Sequence, residues 1–403
     1  MSGPASSQPW VRRMSGRDPR EKSRPSTPLE LLFDLTYIVA VARAALELRD
    51  DLVQGHPAHA LAGYCIVFYG LWWAWVNSTW FASAYDTDDV PYRLLTLLQM
   101  AGVLIYSAGI PAGFATHDFV VVVGGYVVMR LSLVAQVLRA AGGHPEGRVP
   151  ALRYAAGAGA IQLGWIGWLS LTGSTRMAVL AVLLATELAV QAWARHGDQG
   201  TPWHPGHIAE RYGEFTIIVL GEVISAVAVT ASTAVTDKKA SPGLLIIATS
   251  GLLLVFGLWW SYFRRDSVQD IRHELKESVR RTFLRSIAHF LIFASVAALG
   301  AGLQIAIQPL THGTRVTQDS AAFAVAIPVA VYVLVLALLD ASDAAKVGIP
   351  WLSLLISALL LGAAGATPLI TLPAATVTMV VLVVGLLVYY LSRDKTPLTQ
   401  EAG

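Results

Sequence analysis

The sequence predicts an all-α polytopic membrane protein with about twelve transmembrane helices in two parallel six-helix repeats. Three observations support this fold class. The 403-residue chain is 55% hydrophobic and only 14% charged, whereas a typical soluble domain is roughly a quarter charged. Twelve apolar segments approach the ~20 residues that a helix needs to cross a bilayer. A tryptophan-rich motif occurs twice, in segments separated by almost half of the chain.

Twelve candidate spans follow one another along the chain. The eleventh is the shortest, and Gly362, Gly365 and Pro368 favour a break at its end. The predicted spans cover residues 29–48, 61–81, 93–112, 118–139, 152–171, 176–195, 212–231, 243–263, 283–305, 321–339, 350–366 and 372–391.

The distribution of basic residues predicts the orientation. If the amino terminus is cytoplasmic, 22 of the 29 Lys and Arg residues lie in cytoplasmic segments, five lie in outer loops and two lie within spans. Lys and Arg accumulate on the cytoplasmic side of membrane proteins. We therefore expect a multi-pass protein of the inner membrane with both termini in the cytoplasm.

The tryptophan-rich motif indicates an internal repeat. The segment GLWWAW at 70–75 returns as GLWWSY at 257–262, 187 residues later, and Asp34 and Glu222 are separated by 188 residues. Because six spans per repeat is an even number, the two repeats should be parallel. The alternative is that tryptophan pairs are merely common anchors at membrane interfaces.

These boundaries predict five segments. The first is a basic cytoplasmic tail, which is rich in Ser, Pro, Gly and Arg and is expected to be disordered. Two repeats, a cytoplasmic linker and a second cytoplasmic tail follow. The segments cover residues 1–28 (tail), 29–195 (first repeat), 196–211 (linker), 212–391 (second repeat) and 392–403 (tail).

Carboxylates in the first and seventh spans are the leading candidates for function. Glu30 and Asp34 are four residues apart and share a helix face. The seventh span repeats the pattern with Glu214 and Glu222. Ionisable groups within a membrane are costly and usually serve a partner or a pathway. Asp34 and Glu222 are therefore predicted to be proton or cation sites that face each other, or else members of structural ion pairs.

Other polar residues lie within predicted spans. Arg130 lies near the middle of the fourth span and needs a carboxylate, for which Glu187 is one candidate. His289 in the ninth span is either a hydrogen-bonded packing residue or, beside carboxylates, a proton relay. Together with the four carboxylates above, these residues form the predicted intramembrane polar site.

An acidic cluster follows the second span. Asp86, Asp88 and Asp89 place three carboxylates within four residues, and such oxygen ligands suit Mg²⁺ bound to substrate phosphates. The alternatives are a solvated loop or an acidic cap on the next helix. A cofactor is expected only if the cluster binds Mg²⁺.

Composition excludes several classes of function. The single cysteine, Cys65, permits neither an intramolecular disulfide nor a Cys-rich metal site. The basic residues are not gathered on a polar domain, so nucleic-acid binding is not expected. Basic and acidic residues alternate at 264–285 and predict an amphipathic helix on the lipid surface. The lipid bilayer is thus the one partner predicted, and the oligomeric state is left open.

Three motifs resemble the bacterial low-temperature-requirement A (LtrA) family of integral membrane proteins. They are PLELLFDL at 28–35, YDTDD at 85–89 with Arg93, and ERYGEFTIIVLGE at 210–222. The resemblance runs from about residue 25 to 391, and Arg264-Arg265-Asp266 departs from it. The family is named for growth in the cold, so the resemblance implies an architecture and no defined activity.

Three hypotheses for function remain. The first is a transporter-like protein with a proton- or cation-coupled polar site between the repeats, acting on a small molecule or ion of unknown identity. The second is a membrane enzyme that binds an isoprenoid or lipid diphosphate through Mg²⁺ at the acidic cluster. The third is a non-catalytic membrane factor that supports growth in the cold. Whether the protein is an enzyme is left open, with the weight against it.

Overall fold

Twelve α-helices make up the regular structure of the computed structural model, which describes residues 10–18, 21, 24–196, 201–236, 241–264, 279–311, 316–340 and 349–393. Within these ranges there is no β-strand, so the prediction of an all-α protein is confirmed. The helices are α1 (Pro28–Val53), α2 (Pro57–Tyr85), α3 (Val90–Thr116), α4 (Val120–Gly143), α5 (Arg148–Trp168), α6 (Gly173–Ala194), α7 (Pro205–Thr236), α8 (Pro242–Phe263), α9 (Val279–Thr311), α10 (Gln318–Asp340), α11 (Ile349–Gly365) and α12 (Leu372–Arg393).

Nine of the helices in the described part of the chain are long and apolar enough to cross a membrane. Every predicted span falls on a helix, with ends that differ by a few residues. The exceptions among the twelve are α1, α5 and α11. Acidic and basic side chains interrupt α1, and the apolar part of α11 is short, at Trp351–Gly365. That these three helices also span the membrane stays a prediction.

Local sequence explains where several helices begin. Asp89 precedes α3 and accepts a hydrogen bond from the Tyr92 amide, at 2.9 Å, while a proline occupies the first turn. Ser241 caps α8 in the same way through the Leu244 amide, at 3.2 Å. Both arrangements satisfy amide groups that a helix leaves unpaired at its amino end.

The chain divides into two compact units. The first contains the chain up to Arg43 together with Val67–Arg211, and the second contains Ala44–Ile66 and everything from Tyr212 onward. The first two turns of α7 thus belong with the first unit, and the second unit resumes at the residue where the second repeat was predicted to start. The parallel arrangement of two six-helix repeats stays a prediction.

Close helix contacts at glycine occur in both units. In the first unit, a Cβ atom on Gly125 of α4 would lie 2.6 Å from the Gly102 carbonyl oxygen of α3. In the second unit, a Cβ atom on Gly302 of α9 would lie 2.6 Å from the Ala324 carbonyl carbon of α10. Only glycine permits such approaches of one backbone to another.

The amino-terminal stretch differs from the predicted disordered tail. The structure places residues 10–18 and 24–27 against the first unit, and Met14 is 2% exposed in a cluster with Ala84, Tyr85, Tyr92 and Ala140. Its arginines explain the difference, because they bind backbone carbonyls instead of remaining solvated: Arg13 Nε donates to the Gly143 oxygen at 2.8 Å. Most of the predicted amphipathic segment, residues 265–278, and all but the first two residues of the carboxy-terminal tail lie outside the described ranges.

Candidate functional site

A buried arginine brings the two carboxylates of α1 together. Arg211, in α7, is 1% exposed. Its Nη2 atom forms an ion pair with Asp34 Oδ1, and its Nη1 atom lies 3.3 Å from Glu30 Oε1. Because Glu30 and Asp34 are one helical turn apart, both reach the same guanidinium group. Each carboxylate is itself buried, with Asp34 fully enclosed.

Further hydrogen bonds fix the two carboxylates. The Trp75 indole nitrogen donates to Asp34 Oδ1 at 2.7 Å. The Thr27 amide donates to Glu30 Oε2 at 2.8 Å, and the Glu30 amide donates to the Thr27 hydroxyl at 3.2 Å. This reciprocal pair is a capping box, which closes the amino-terminal end of α1 and also orients Glu30.

His207 completes the group. Its Nε2 atom lies 3.1 Å from Glu30 Oε1, and the side chain is fully buried. The His207 amide donates to His204 Nδ1 at 3.0 Å. Since His204 thereby caps the first turn of α7, His207 is held one turn before Arg211 on the same helix face. We call Glu30, Asp34, His207 and Arg211 the Arg211 cluster.

A cavity lies beside the Arg211 cluster. Its volume is about 20 Å³, which is room for about one water molecule, and it is partly open to the exterior. The apolar part of the wall includes Leu29, Phe33, Phe81 and Leu133. The polar part consists of Glu30, Ser78, Thr96, Gln99, Gln136 and Arg211. Ser78 donates to Gln99 Oε1 at 2.6 Å, and Gln136 donates to the Thr96 hydroxyl at 3.2 Å. Polar groups in an apolar helix bundle are costly unless they form hydrogen bonds with one another, with water or with a solute.

Arg130 and Glu187 form a second buried group in the first unit. Arg130 Nη2 lies 3.0 Å from Glu187 Oε2, and both side chains are almost completely enclosed. Glu187 also accepts hydrogen bonds from Trp73 at 2.9 Å, Tyr126 at 2.9 Å and Trp165 at 3.2 Å. Four donors therefore satisfy and orient this buried carboxylate.

The acidic cluster does not converge on one point. Asp88 forms a two-pronged ion pair with Arg93, at 2.8 and 2.9 Å. Asp89 caps α3 and pairs with Arg139 at 2.6 Å, and although burial opposes this, the Arg12 and Tyr92 amides and Arg139 hold its pKa below the usual range. Within the described residues, no group of three His, Cys, Asp or Glu side chains has a geometry for metal binding. Asp89 thus provides the predicted acidic cap on α3, while binding of Mg²⁺ by the cluster stays a prediction.

Asp86 differs from its two acidic neighbours. Burial raises its pKa to about 6, and the negative charge of Glu30 adds to this, although Arg24 and Arg17 oppose it. These two arginines lie 3.9 and 3.8 Å from Asp86 Oδ2. Asp86 therefore titrates closer to neutral pH than an ordinary aspartate.

The remaining predicted residues belong to the second unit. His289 Nδ1 lies 2.8 Å from the Arg285 carbonyl oxygen, and His289 Nε2 lies 3.0 Å from the Tyr262 hydroxyl. The carbonyl can only accept, so Nδ1 carries a proton, while the Tyr262 hydroxyl can either donate to Nε2 or accept from it. Glu214 and Glu222 are half-buried on α7. Whether Glu222 faces Asp34 stays a prediction.

Sequence reasoning missed Arg211 and His207 as partners of the α1 carboxylates. Arg211 directly precedes the predicted seventh span, and the predicted polar site contains neither Arg211 nor His207. The missing contact joins residues 177 positions apart, and nothing in a single sequence reports such a pairing. The available signal was an arginine and a histidine at i,i+4 opening a span, in the same pattern as Glu30 and Asp34.

Comparison with known proteins identifies the family. The sequence profile of the bacterial low temperature requirement A protein (LtrA) matches residues 25–388. An uncharacterized protein of Rhizobium meliloti (strain 1021) is 25% identical over 325 residues, which cover 76% of this chain and 74% of that protein. No solved structure matches the chain. Because the match covers nearly the whole chain and includes the residues of the Arg211 cluster, the protein belongs to the LtrA family of bacterial membrane proteins.

Proposed function

We propose that the protein is a membrane transport protein with a proton- or cation-coupled site, and that the Arg211 cluster is this site. The observation that carries the proposal is the sharing of one buried guanidinium group by two carboxylates beside a polar cavity. Ionisable groups inside membrane helices are costly and typically mark ion or substrate pathways. The sequence predicts that Asp34 and Glu222 are equivalent sites. In this proposal their roles differ, because Asp34 belongs to the Arg211 cluster and Glu222 does not.

Counting charges around the cluster supports an exchangeable proton. Arg17 pairs with Glu21 at 2.9 Å, and Arg24 lies 3.9 Å from Asp86, so these charges balance in pairs. Glu30 and Asp34 then share the single positive charge of Arg211. One negative charge is left in a buried setting, where an unbalanced charge is strongly disfavoured.

A proton or a small cation restores the balance. Glu30 Oε1 and His207 Nε2 lie 3.1 Å apart, so a proton on the imidazole is stabilised by the neighbouring carboxylate. Arg211 cannot supply or accept that proton because guanidinium stays charged in proteins. We therefore place the exchangeable proton between Glu30 and His207, and Asp34 holds Arg211 in position.

The cavity gives this proton a route for exchange. Glu30 and Arg211 both line it, and the other polar wall residues are hydroxyls and carboxamides, which bind water or a small polar solute.

The test is proton flux in proteoliposomes that contain a pH-sensitive dye. We expect flux under an imposed ion gradient, and we expect Glu30→Gln and Asp34→Asn to abolish it because each removes one titrating or charge-holding group. Asp50→Asn is the matched control on the same helix, since the Asp50 side chain is 47% exposed. Glu222→Gln tests whether the second unit contributes to the same process.

The outcomes separate transport from a purely structural cluster. If Glu30→Gln and Asp34→Asn fold normally and lose flux while Asp50→Asn keeps it, the proposal stands. If wild-type vesicles remain proton-tight under every gradient, proton coupling is rejected, and repeating the experiment with Na⁺ and K⁺ indicators decides cation coupling. Loss of folded protein in both variants, with no flux in the wild type, assigns the cluster to stability alone.

A further inference from the structure

Two large apolar side chains near the amino terminus are exposed at one end of the first unit. Trp10 is 79% exposed and Val11 is 65% exposed. Both belong to residues 10–14, which the structure describes without a gap and which we call segment 10–14. Because an exposed indole group is costly in water, the depth of this segment relative to the bilayer decides what the two side chains contact.

Hydrogen bonds fix segment 10–14 to the beginning of α3. The Val90 amide donates to the Trp10 carbonyl oxygen at 3.2 Å, and the Arg12 amide donates to Asp89 Oδ2 at 2.9 Å. Asp89 is also the residue that caps α3. The backbone that carries Trp10 is therefore fixed beside the first residue of α3.

The contact with Val90 indicates the depth of Trp10. The predicted span within α3 begins at residue 93, three residues after Val90. At 1.5 Å per residue this is about 5 Å along the helix, so Val90 lies just outside the hydrocarbon core, in the headgroup region. Tryptophan is enriched at this depth in membrane proteins, because its ring is apolar and its N–H group is polar.

The outer face of α3 continues from Val90 as an apolar surface. Leu94, Leu97 and Leu98 are 59%, 58% and 47% exposed, and their spacing places them on the same helix face as Val90. On a helix that is long and apolar enough to cross a membrane, such a surface faces the acyl chains of lipids. Trp10 thus lies at the end of a surface that faces lipid.

Positive charge accompanies the exposed apolar side chains. Arg12 and Arg13 directly follow Val11 and are exposed. Arg12 Nη1 donates to the Thr87 carbonyl oxygen at 3.2 Å, and Arg13 Nε donates to the Gly143 carbonyl oxygen at 2.8 Å. Among the described residues, neither guanidinium group forms an ion pair with a carboxylate. Both charges are therefore available to an anionic partner at headgroup depth.

We propose that segment 10–14 is an interfacial anchor that binds anionic lipid headgroups on the side of the membrane predicted to be cytoplasmic. The side chains of Trp10 and Val11 enter the headgroup region, and Arg12 and Arg13 contact lipid phosphates. This assigns a lipid contact to a segment that composition alone describes as a tail. The inference goes beyond the proposed transport function and does not depend on it, because it concerns only the surface that these side chains meet.

Quenching by spin-labelled lipids tests the contact. In a Cys65→Ser background, Trp10→Cys carries an NBD fluorophore, and the full-length protein is reconstituted into vesicles of phosphatidylcholine with a minority of phosphatidylglycerol. A spin label near the headgroup should quench the fluorophore at least about twice as strongly as a label at the end of the acyl chain. Glu146→Cys with the same fluorophore is the control, because the Glu146 side chain is 84% exposed. It should be quenched by aqueous iodide and hardly by either lipid label.

The charge of the bound lipid is tested separately. Spin-labelled phosphatidylglycerol should quench the fluorophore at residue 10 more strongly than the matching phosphatidylcholine. One basic side chain at the surface raises the local share of anionic lipid about fivefold, so Arg12→Gln should lower this preference by about that factor. Glutamine keeps an N–H donor for the Thr87 carbonyl, and an unchanged thermal unfolding midpoint excludes a loss of folding.

The inference is overturned if iodide quenches the fluorophore at residue 10 as strongly as the one at residue 146, because segment 10–14 then faces water. Protection from both iodide and lipid labels also overturns it, and indicates that another protein surface covers the segment. Stronger quenching by the deep label than by the shallow label contradicts an interfacial position. Equal quenching by the two lipids, or an unchanged preference in Arg12→Gln, overturns the assignment to anionic headgroups.

Discussion

The two units contain the same tryptophan motif but use it differently. In the first unit Trp72 and Trp73 are 3% and 2% exposed, and Trp73 donates its indole N–H to Glu187. In the second unit the corresponding Trp259 and Trp260 are 38% and 39% exposed. The same tryptophan motif therefore occupies two different environments. In the first unit it packs against a buried ion pair, and in the second unit it lies at the surface.

The ionisable groups beside the two tryptophan motifs also differ. In the first unit Trp75, the last residue of the motif, donates to the charged Asp34. In the second unit the last residue is Tyr262, whose hydroxyl lies 3.0 Å from His289 Nε2. The second unit does contain a buried ion pair, Arg264 with Asp340, but it lies at the ends of α8 and α10. The first unit thus concentrates ionisable groups within its helices, which is why we place the coupled site there.

The largest effect is expected from Glu187→Gln in the first unit. The substitution leaves Arg130 buried without its counter-charge, which costs about 3–5 kcal/mol in similar buried pairs. We expect a strong loss of folded protein and a lower unfolding midpoint in detergent. The double variant Arg130→Met/Glu187→Leu should recover much of this stability, because it removes both charges together. A single variant as stable as the parent would contradict the assignment.

A smaller effect is expected when the tryptophan motifs of the two units are compared by substitution. Trp73→Phe removes a hydrogen bond to a buried carboxylate, so we expect a loss of about 1.5–3 kcal/mol in the free energy of unfolding. Trp260→Phe, at a half-exposed position, should change the free energy by no more than about 0.5 kcal/mol. Denaturant titration monitored by circular dichroism measures both. Equal losses at the two sites would remove the distinction between the units.

The glycine contacts should behave alike in the two units. Gly125→Ala and Gly302→Ala each direct a methyl group into backbone atoms of the neighbouring helix, and overpacking of this kind costs about 1–3 kcal/mol. Gly124→Ala is the adjacent control, because a Cβ atom there meets nothing within 4 Å. Thermal unfolding of the three variants is the measurement. A tolerated Gly302→Ala beside a damaging Gly125→Ala would show that only the first unit depends on this contact.

The smallest expected effect is a pH dependence that only Asp86 produces. Its raised pKa, about 6, means that its stabilising contribution is present in acid and is lost as the pH rises through 6. Between pH 5 and pH 7 this loss is about 1 kcal/mol. The free energy of unfolding of Asp86→Asn, relative to that of the parent, should therefore rise by about that much from pH 5 to pH 7. A constant difference between the two proteins would show that Asp86 titrates normally.

The sequence was sufficient for the positions of all twelve helices, because apolar segments of about 20 residues are a local signal. It also indicated Glu187 as a candidate partner of Arg130, since both lie near the middle of their spans. It could not reveal that Arg211 pairs with Asp34, because that contact joins residues distant in sequence. The contacts of residues 10–18 and 24–27 could not be predicted for another reason: the Ser, Pro and Arg composition of this segment is typical of disorder, and its partners include backbone carbonyls at helix ends, which no sequence pattern marks.

The capping box at the start of α1 ties chemistry to local folding. One oxygen of Glu30 accepts from the Thr27 amide, and the other faces His207 and Arg211. When Glu30 takes up a proton, it becomes a weaker acceptor for the amide that closes the helix. The charge of this buried carboxylate therefore determines how firmly the first turn of α1 is closed.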